Sequence, residues 1–177
     1  MLDVSVSYSR YRFLGPEFLT YLWYLTESDP DAVTTASDGK VSLALGRSIV
    51  LENRRRDDVE RVTIKGDEAQ MDEAMLALKK GAVVTQMHLN LEIGEMTWSF
   101  SVRGEDLAVT GLKTPPGAPL ESPDELEAAI LDKAALCEKP LELVDGLFQR
   151  FIRLRVSDAW HGEVIPAMRR WLDKTPG

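Results

Sequence analysis

At 177 residues the chain holds one domain, or one domain with a small helical appendage, and buries enough surface to fold without disulfides or metal. Hydrophobic residues make up 44% and charged residues 28%, which excludes a disordered, collagen-like or coiled-coil protein. A net charge of -8 excludes wrapping of nucleic acid by bulk positive charge, while leaving a local basic patch open.

Val4, Val6 and Tyr8 alternate with serines, the period of a half-buried strand. Gly15 and Pro16 open a helix through Phe18, Leu19, Leu22 and Trp23, which Ser28, Asp29 and Pro30 end. Val41, Leu43 and Leu45 predict a strand, Gly46-Arg47 a two-residue hairpin, and Ile49 to Leu51 the returning strand. A charged loop from Asn53 to Asp58 precedes a short strand with Val62 and Ile64. The helix begun by Asp67 and Glu68 carries acids in its first turn, Lys79 and Lys80 in its last and Gly81 just beyond, each complementing the helix dipole or the terminal turn.

Val83, Thr85, Met87, Leu89, Leu91 and Ile93 read as the apolar face of a strand, with Gln86, His88 and Asn90 on its wet face. Gly94 turns the chain into a second strand with Met96, Trp98, Phe100 and Val102 inward. This is the pattern of an antiparallel sheet covered on a single face. Leu107 and Val109 suggest one more strand. Pro115, Pro116, Gly117 and Pro119 mark a linker, and Ser122-Pro123-Asp124-Glu125 forms a capping box. A helix follows to about Cys137, Pro140 restarts a second with Val144, Leu147, Phe148, Phe151 and Ile152 on one stripe, and a last helix spans Glu163 to Leu172. The expected fold is α+β: a sheet domain over 1–113, a Pro-rich linker over 114–122, and C-terminal helices over 123–177 that pack on the sheet or form a dimer seam.

Catalytic chemistry finds no foothold in these residues. His88 lies on a polar strand face and His161 at a helix entrance, with no second histidine at zinc-helix spacing. Cys137 reads as a buried, inert thiol, and as the only cysteine it permits no internal disulfide. The acids Asp57, Asp58 and Glu60 share a loop with Arg54, Arg55 and Arg56 rather than converging from rigid elements, so no metal site is expected and no cofactor is implied. Tyr21, Trp23 and Tyr24 at helical spacing read as core and rim sooner than as a base-stacking patch. The start of the chain has no basic or apolar leader and no apolar run reaches the ~20 residues of a membrane span, so a cytoplasmic protein without membrane contact is expected.

The basic residues are unevenly spread. Glu138 onward holds 7 basic and 6 acidic residues, against 14 and 23 before it. Arg54, Arg55 and Arg56 form a run in one loop, Arg61 and Lys65 share the polar face of a strand, and Arg103 lies on the polar face of another. Arginine and lysine on a rigid sheet can track phosphates without reading bases.

From Arg61 to Lys113 the chain resembles the C-terminal part of the recombination-associated protein family RdgC. The matching order is a strand ending in Lys65, an acid-started helix, Lys80-Gly81-Ala82-Val83-Val84-Thr85, Met87-His88-Leu89, Trp98-Ser99-Phe100, Asp106-Leu107 and Gly111-Leu112-Lys113. Phe18 to Trp23 is similar to the family's upstream Leu-Thr-x-Trp helix, and Leu147 to Leu154 to its closing helix. The family has Gly-Lys after its helix where this chain has Lys80-Gly81, and the family's N-terminal half finds no counterpart here. The resemblance implies a nucleoid-associated, non-enzymatic protein that binds duplex DNA without sequence preference, since family members form homodimeric rings around DNA and restrain RecA-driven strand exchange. It places Lys65 beside the DNA channel. Arg54, Arg55, Arg56, Arg61, Lys65 and Arg103 are then the expected phosphate contacts, and Phe148 and Phe151 the expected homodimer seam. The alternative is a protein–protein interaction or scaffold domain of the same fold that has lost DNA binding.

Overall fold

A computed structural model of the chain describes residues 14–33, 41–55, 58–65, 68–117 and 126–174. Its elements run α1 (Leu14–Ser28), β1 (Val41–Arg55), β2 (Asp58–Lys65), α2 (Glu68–Lys79), β3 (Val83–Ile93), β4 (Met96–Arg103), β5 (Val109–Lys113), α3 (Leu126–Arg155) and α4 (Ile165–Lys174). A π-helical turn, Trp160–Val164, leads into α4. The strands form one antiparallel sheet in the order β2-β1-β3-β4-β5. The architecture is the expected α+β one. The strand expected at Val4 to Tyr8 and the capping box at Ser122 lie outside the described residues.

Alternation decides which face of the sheet is covered. Ile49 and Leu51 of β1, Met87 and Leu89 of β3, and Trp98 and Phe100 of β4 are buried together. Against them pack Phe18, Leu19, Leu22 and Trp23 of α1, and Val144, Leu147 and Phe151 of α3. The residue between each pair turns the other way, and in β3 and β4 it is polar, His88 and Ser99, while in β1 it is the buried Val50.

Gly15 lets α1 approach the sheet closely. A β-carbon at Gly15 would lie 1.6 Å from the Gly104 carbonyl oxygen, immediately after β4. The Gly104 amide in turn donates to the Thr85 carbonyl of β3 at 2.7 Å.

Three expectations are corrected. The hairpin at Gly46-Arg47 does not form, and β1 runs through as one 15-residue strand. Its apolar residues keep odd numbering from Val41 to Leu51, the mark of a single strand. Arg47 shares that parity, and a bulge throws it out of the core: Leu45 pairs with Leu89 and Ile49 with Met87, so three residues of β1 face His88 alone.

The apolar face of β3 is also out of phase with a simple alternation. Val50 pairs with Gln86 and Leu51 with Val84, leaving Thr85 as an extra residue. Val84 is therefore buried while Val83 is 38% exposed.

The third correction concerns Pro140, which does not divide two helices but lies inside the 30-residue α3. Proline has no N–H to give the Leu136 carbonyl one turn earlier. The Trp98 indole N–H donates to that carbonyl at 2.8 Å instead, so the helix continues and is tied to β4 at the break.

Phe148 and Phe151, the expected dimer seam, are occupied within the chain. Phe151 is fully buried, and both rings pack on Phe18 of α1, with centroids 5.3 and 5.5 Å away. Tyr21 packs against Phe151 at a tilt and meets Trp160 edge-to-face, and Tyr24 meets Trp171 edge-to-face, so the aromatic group of α1 is core and rim, as read from its spacing. Arg155 closes the same junction. Its Nε donates to both carboxylate oxygens of Glu17 at 3.0 Å, and its guanidinium lies 5.4 Å from the Trp160 ring centroid.

Candidate nucleic-acid interface

The face of the sheet turned away from the helices carries the side chains that bear on function. Register aligns them in rows across the strands. Lys65 pairs with Ser48, and His88 with Ser101, which pairs with Thr110. A second row runs Thr63, Val50, Gln86 and Arg103. A third runs Ala44, Asn90, Ser99 and Lys113. Arg61 faces Glu52 at the far end.

Two basic rims thus border a polar face on which Arg47 is exposed near His88, Glu52 lies opposite Arg61, and Glu92 is exposed on β3. Arg61 and Lys65 stand exposed on the edge strand β2, and Lys113 stands exposed on the opposite edge strand β5. Four strand spacings separate the rims, about 19 Å along the sheet. Among the described residues this face presents no phenylalanine, tyrosine or tryptophan.

His88 sits at the middle. Its Nε2 lies 2.9 Å from Ser99 Oγ, and its Nδ1 is buried without a hydrogen-bond partner among the described residues. The ring lies so close to the bulge that a β-carbon on Gly46 would be 1.9 Å from Nδ1. Only glycine allows that approach. Burial pushes the His88 imidazole below its ordinary pKa of 6.5, and the cations of Lys113 and Arg47 push the same way. Both effects favour the neutral ring.

Arg103 is less available than its strand position implied. It donates through Nε to Asp106 Oδ1 at 2.9 Å and through Nη2 to Oδ2 of the same carboxylate. The hydrogen bonds from Arg103 hold the Asp106 carboxyl below its usual range, and Asp106 also accepts from the Ala108 amide. The pair braces the turn between β4 and β5 and largely cancels its own charge.

Arg54 and Arg55 occupy the last two positions of β1, opposite Val59 and Asp58, and Arg56 lies outside the described residues. The last β1–β3 pair is Glu52 with Val83, so the β1–β2 ribbon runs three further pairs beyond the sheet. Of the expected contacts, the structure brings Arg61 and Lys65 together on one edge strand. Sequence reasoning missed Arg47 and Lys113. Lys113 carried a signal, since it falls at the end of Gly111-Leu112-Lys113, and Arg47 was hidden by reading the bulge as a turn.

Among the described residues there is no group of three or more His, Cys, Asp or Glu side chains arranged to hold a metal, and no helix is long and apolar enough to cross a membrane. No family model and no curated protein matches the chain.

Proposed function

We propose that this chain is an RdgC-like, non-enzymatic, nucleoid-associated protein that binds duplex DNA without sequence preference and serves recombination or its restraint. The observation that carries the reading is the open sheet face, with Arg61 and Lys65 on one rim and Lys113 on the other. A rim separation of about 19 Å exceeds the ~12 Å width of a major groove, so the two rims can meet the phosphate backbones that border it. The polar side chains of Gln86, His88, Asn90 and Ser101 then face the groove. Hydroxyls and amides there reach phosphate or sugar without imposing a base code. The lack of an aromatic platform favours a duplex over a single strand, because single-strand binding draws on base stacking. In this reading the protein works as a homodimer whose seam lies elsewhere than Phe148 and Phe151.

The test is a salt titration of binding to a random-sequence duplex, read by fluorescence anisotropy. Neutralising four phosphates through Arg47, Arg61, Lys65 and Lys113 gives a slope of log K against log salt of about -3.6. The Arg61→Ala/Lys65→Ala variant lowers its magnitude by about 1.8 and weakens all sequences alike. No binding at low salt overturns the proposal.

A further inference from the structure

The N-terminal half of α3 carries an exposed apolar side among the described residues. Leu126, Ile130, Ala134 and Leu141 follow at spacings of four, four and seven, which places them along one side of the helix. Leu126, Ile130 and Leu141 are 53%, 60% and 49% exposed, and Leu131 beside them is 64% exposed. Leu136, Pro140, Val144, Leu147 and Phe151 face the core; Leu126 lies in line with Val144, and Ile130, Ala134 and Leu141 lie to one side of that line. A contiguous exposed apolar stripe marks an interaction surface, whereas a single exposed leucine does not.

The charges beside the stripe say what can lie on it. Glu127, Glu138 and Asp145, at spacings of eleven and seven, form a row along the side of the stripe away from the sheet, with Glu142 next to it. Residues 126–145 hold five acids and two lysines. Both lysines are engaged: Lys133 donates to Thr114 Oγ1, and Lys139 lies 3.9 Å from Glu142.

We propose that this side of α3 docks a basic amphipathic helix of another protein. A second copy fits poorly, because two-fold antiparallel pairing of α3 sets the acid row of one chain against that of the other. A parallel pairing would bring the sheet into the contact. Nucleic acid and anionic lipid are repelled by the same row. A helix with leucines or isoleucines at i, i+3 and i+4, edged by lysine or arginine, buries the stripe and answers the charge. The stretch from Leu126 to Leu141 is about 24 Å long, which sets the partner segment at four to five turns. The surface is separate from the open sheet face and does not depend on DNA binding.

The experiment uses the full chain and a labelled 18-residue peptide of leucine and lysine in helical amphipathic order, with a scrambled peptide of the same composition. Anisotropy is expected to show binding of the amphipathic peptide, weakened by salt and at least about tenfold tighter than the scrambled one. Ile130→Asp is expected to lower that affinity about tenfold or more, and Glu138→Lys by a smaller factor. Ile130 is exposed, so circular dichroism and the urea midpoint should stay unchanged in the variant, which separates lost docking from lost folding. Equal binding of the two peptides, or indifference to Ile130→Asp, overturns the proposal. So does a dimer by sedimentation that Ile130→Asp converts to monomer, because the stripe is then a self-interface.

Discussion

Gly46 and His88 form a residue-scale lock on the centre of the sheet. The imidazole occupies the space where any side chain at 46 would begin, since the added carbon would lie 1.9 Å from Nδ1. Gly46→Ala should therefore displace the ring and cost about 1–3 kcal/mol by overpacking. Urea denaturation checks this, and His88→Ala in the same chain should recover much of the loss, a coupling that a double-mutant cycle reads. The same histidine makes stability depend on pH. Its folded pKa lies below the unfolded 6.5, so the unfolded state takes up the proton first. Stability is full above 6.5, falls as pH drops below that value, and levels off below the folded pKa. His88→Gln should flatten this limb of the urea midpoint against pH, and an unchanged profile would assign the dependence to other groups. None of this was legible in the sequence, where His88 was one polar residue on a strand face. Its burial against Gly46 follows from a bulge in another strand, and nothing near His88 in the chain encodes that.

At the scale of elements, α3 shows how a local rule gives way to a tertiary contact. Proline inside a helix removes a donor and costs about 3 kcal/mol in isolation. Here the orphaned Leu136 carbonyl accepts from Trp98, so the break becomes the point where the helix is fastened to β4. Trp98→Phe should leave that carbonyl unpaired and cost about 1–3 kcal/mol beyond the lost packing. Pro140→Ala supplies a backbone donor to Leu136, so Trp98→Phe should cost less in that background. Thermal unfolding of the four proteins in the cycle checks the sign of the coupling. The aromatic stripe of α3 makes a second prediction at this scale. Phe151 is fully buried against Phe18, Tyr21 and Trp160. Phe151→Ala should cost about 3–5 kcal/mol, a large share of the ~5–15 kcal/mol stability of a domain. The loss should appear in near-UV circular dichroism, not as a simple change from dimer to monomer. The amphipathic stripe itself was plain from its spacing. Which surface covered it was not, because intramolecular and intermolecular burial demand the same residues.

For the whole molecule, the net charge of -8 and the basic sheet rims are reconciled by where the charges lie. The acidic excess lies before Glu138, with 23 acids against 14 bases, and within that stretch Arg61, Lys65 and Lys113 still edge the open face of the sheet; Glu127, Glu138, Glu142 and Asp145 line one side of the N-terminal half of α3. The two surfaces call for opposite partners, one anionic and one cationic. If both proposals hold, reversing Glu138 should leave the salt slope of DNA binding unchanged, and removing Arg61 and Lys65 should leave peptide binding unchanged. Cross-titration of the two variants against the two ligands reads this independence directly. A shared effect would mean that one broad electrostatic field governs both, and the division into two surfaces would fail.

The sequence by itself determined the fold class, the β3–β4 hairpin, the α2 boundaries and the single covered face of the sheet. Each rests on periodicity or on a capping residue within a few positions, and such signals are local. Tertiary structure decided the rest. It ran β1 through Gly46 because the partner strand absorbs three residues as a bulge, and it carried α3 through Pro140 because an indole replaces the missing donor. It placed Phe151 inside because α1 lies over it. It also brought Lys113 onto the same face as Arg61 and Lys65, across four strand spacings that no window along the chain can span.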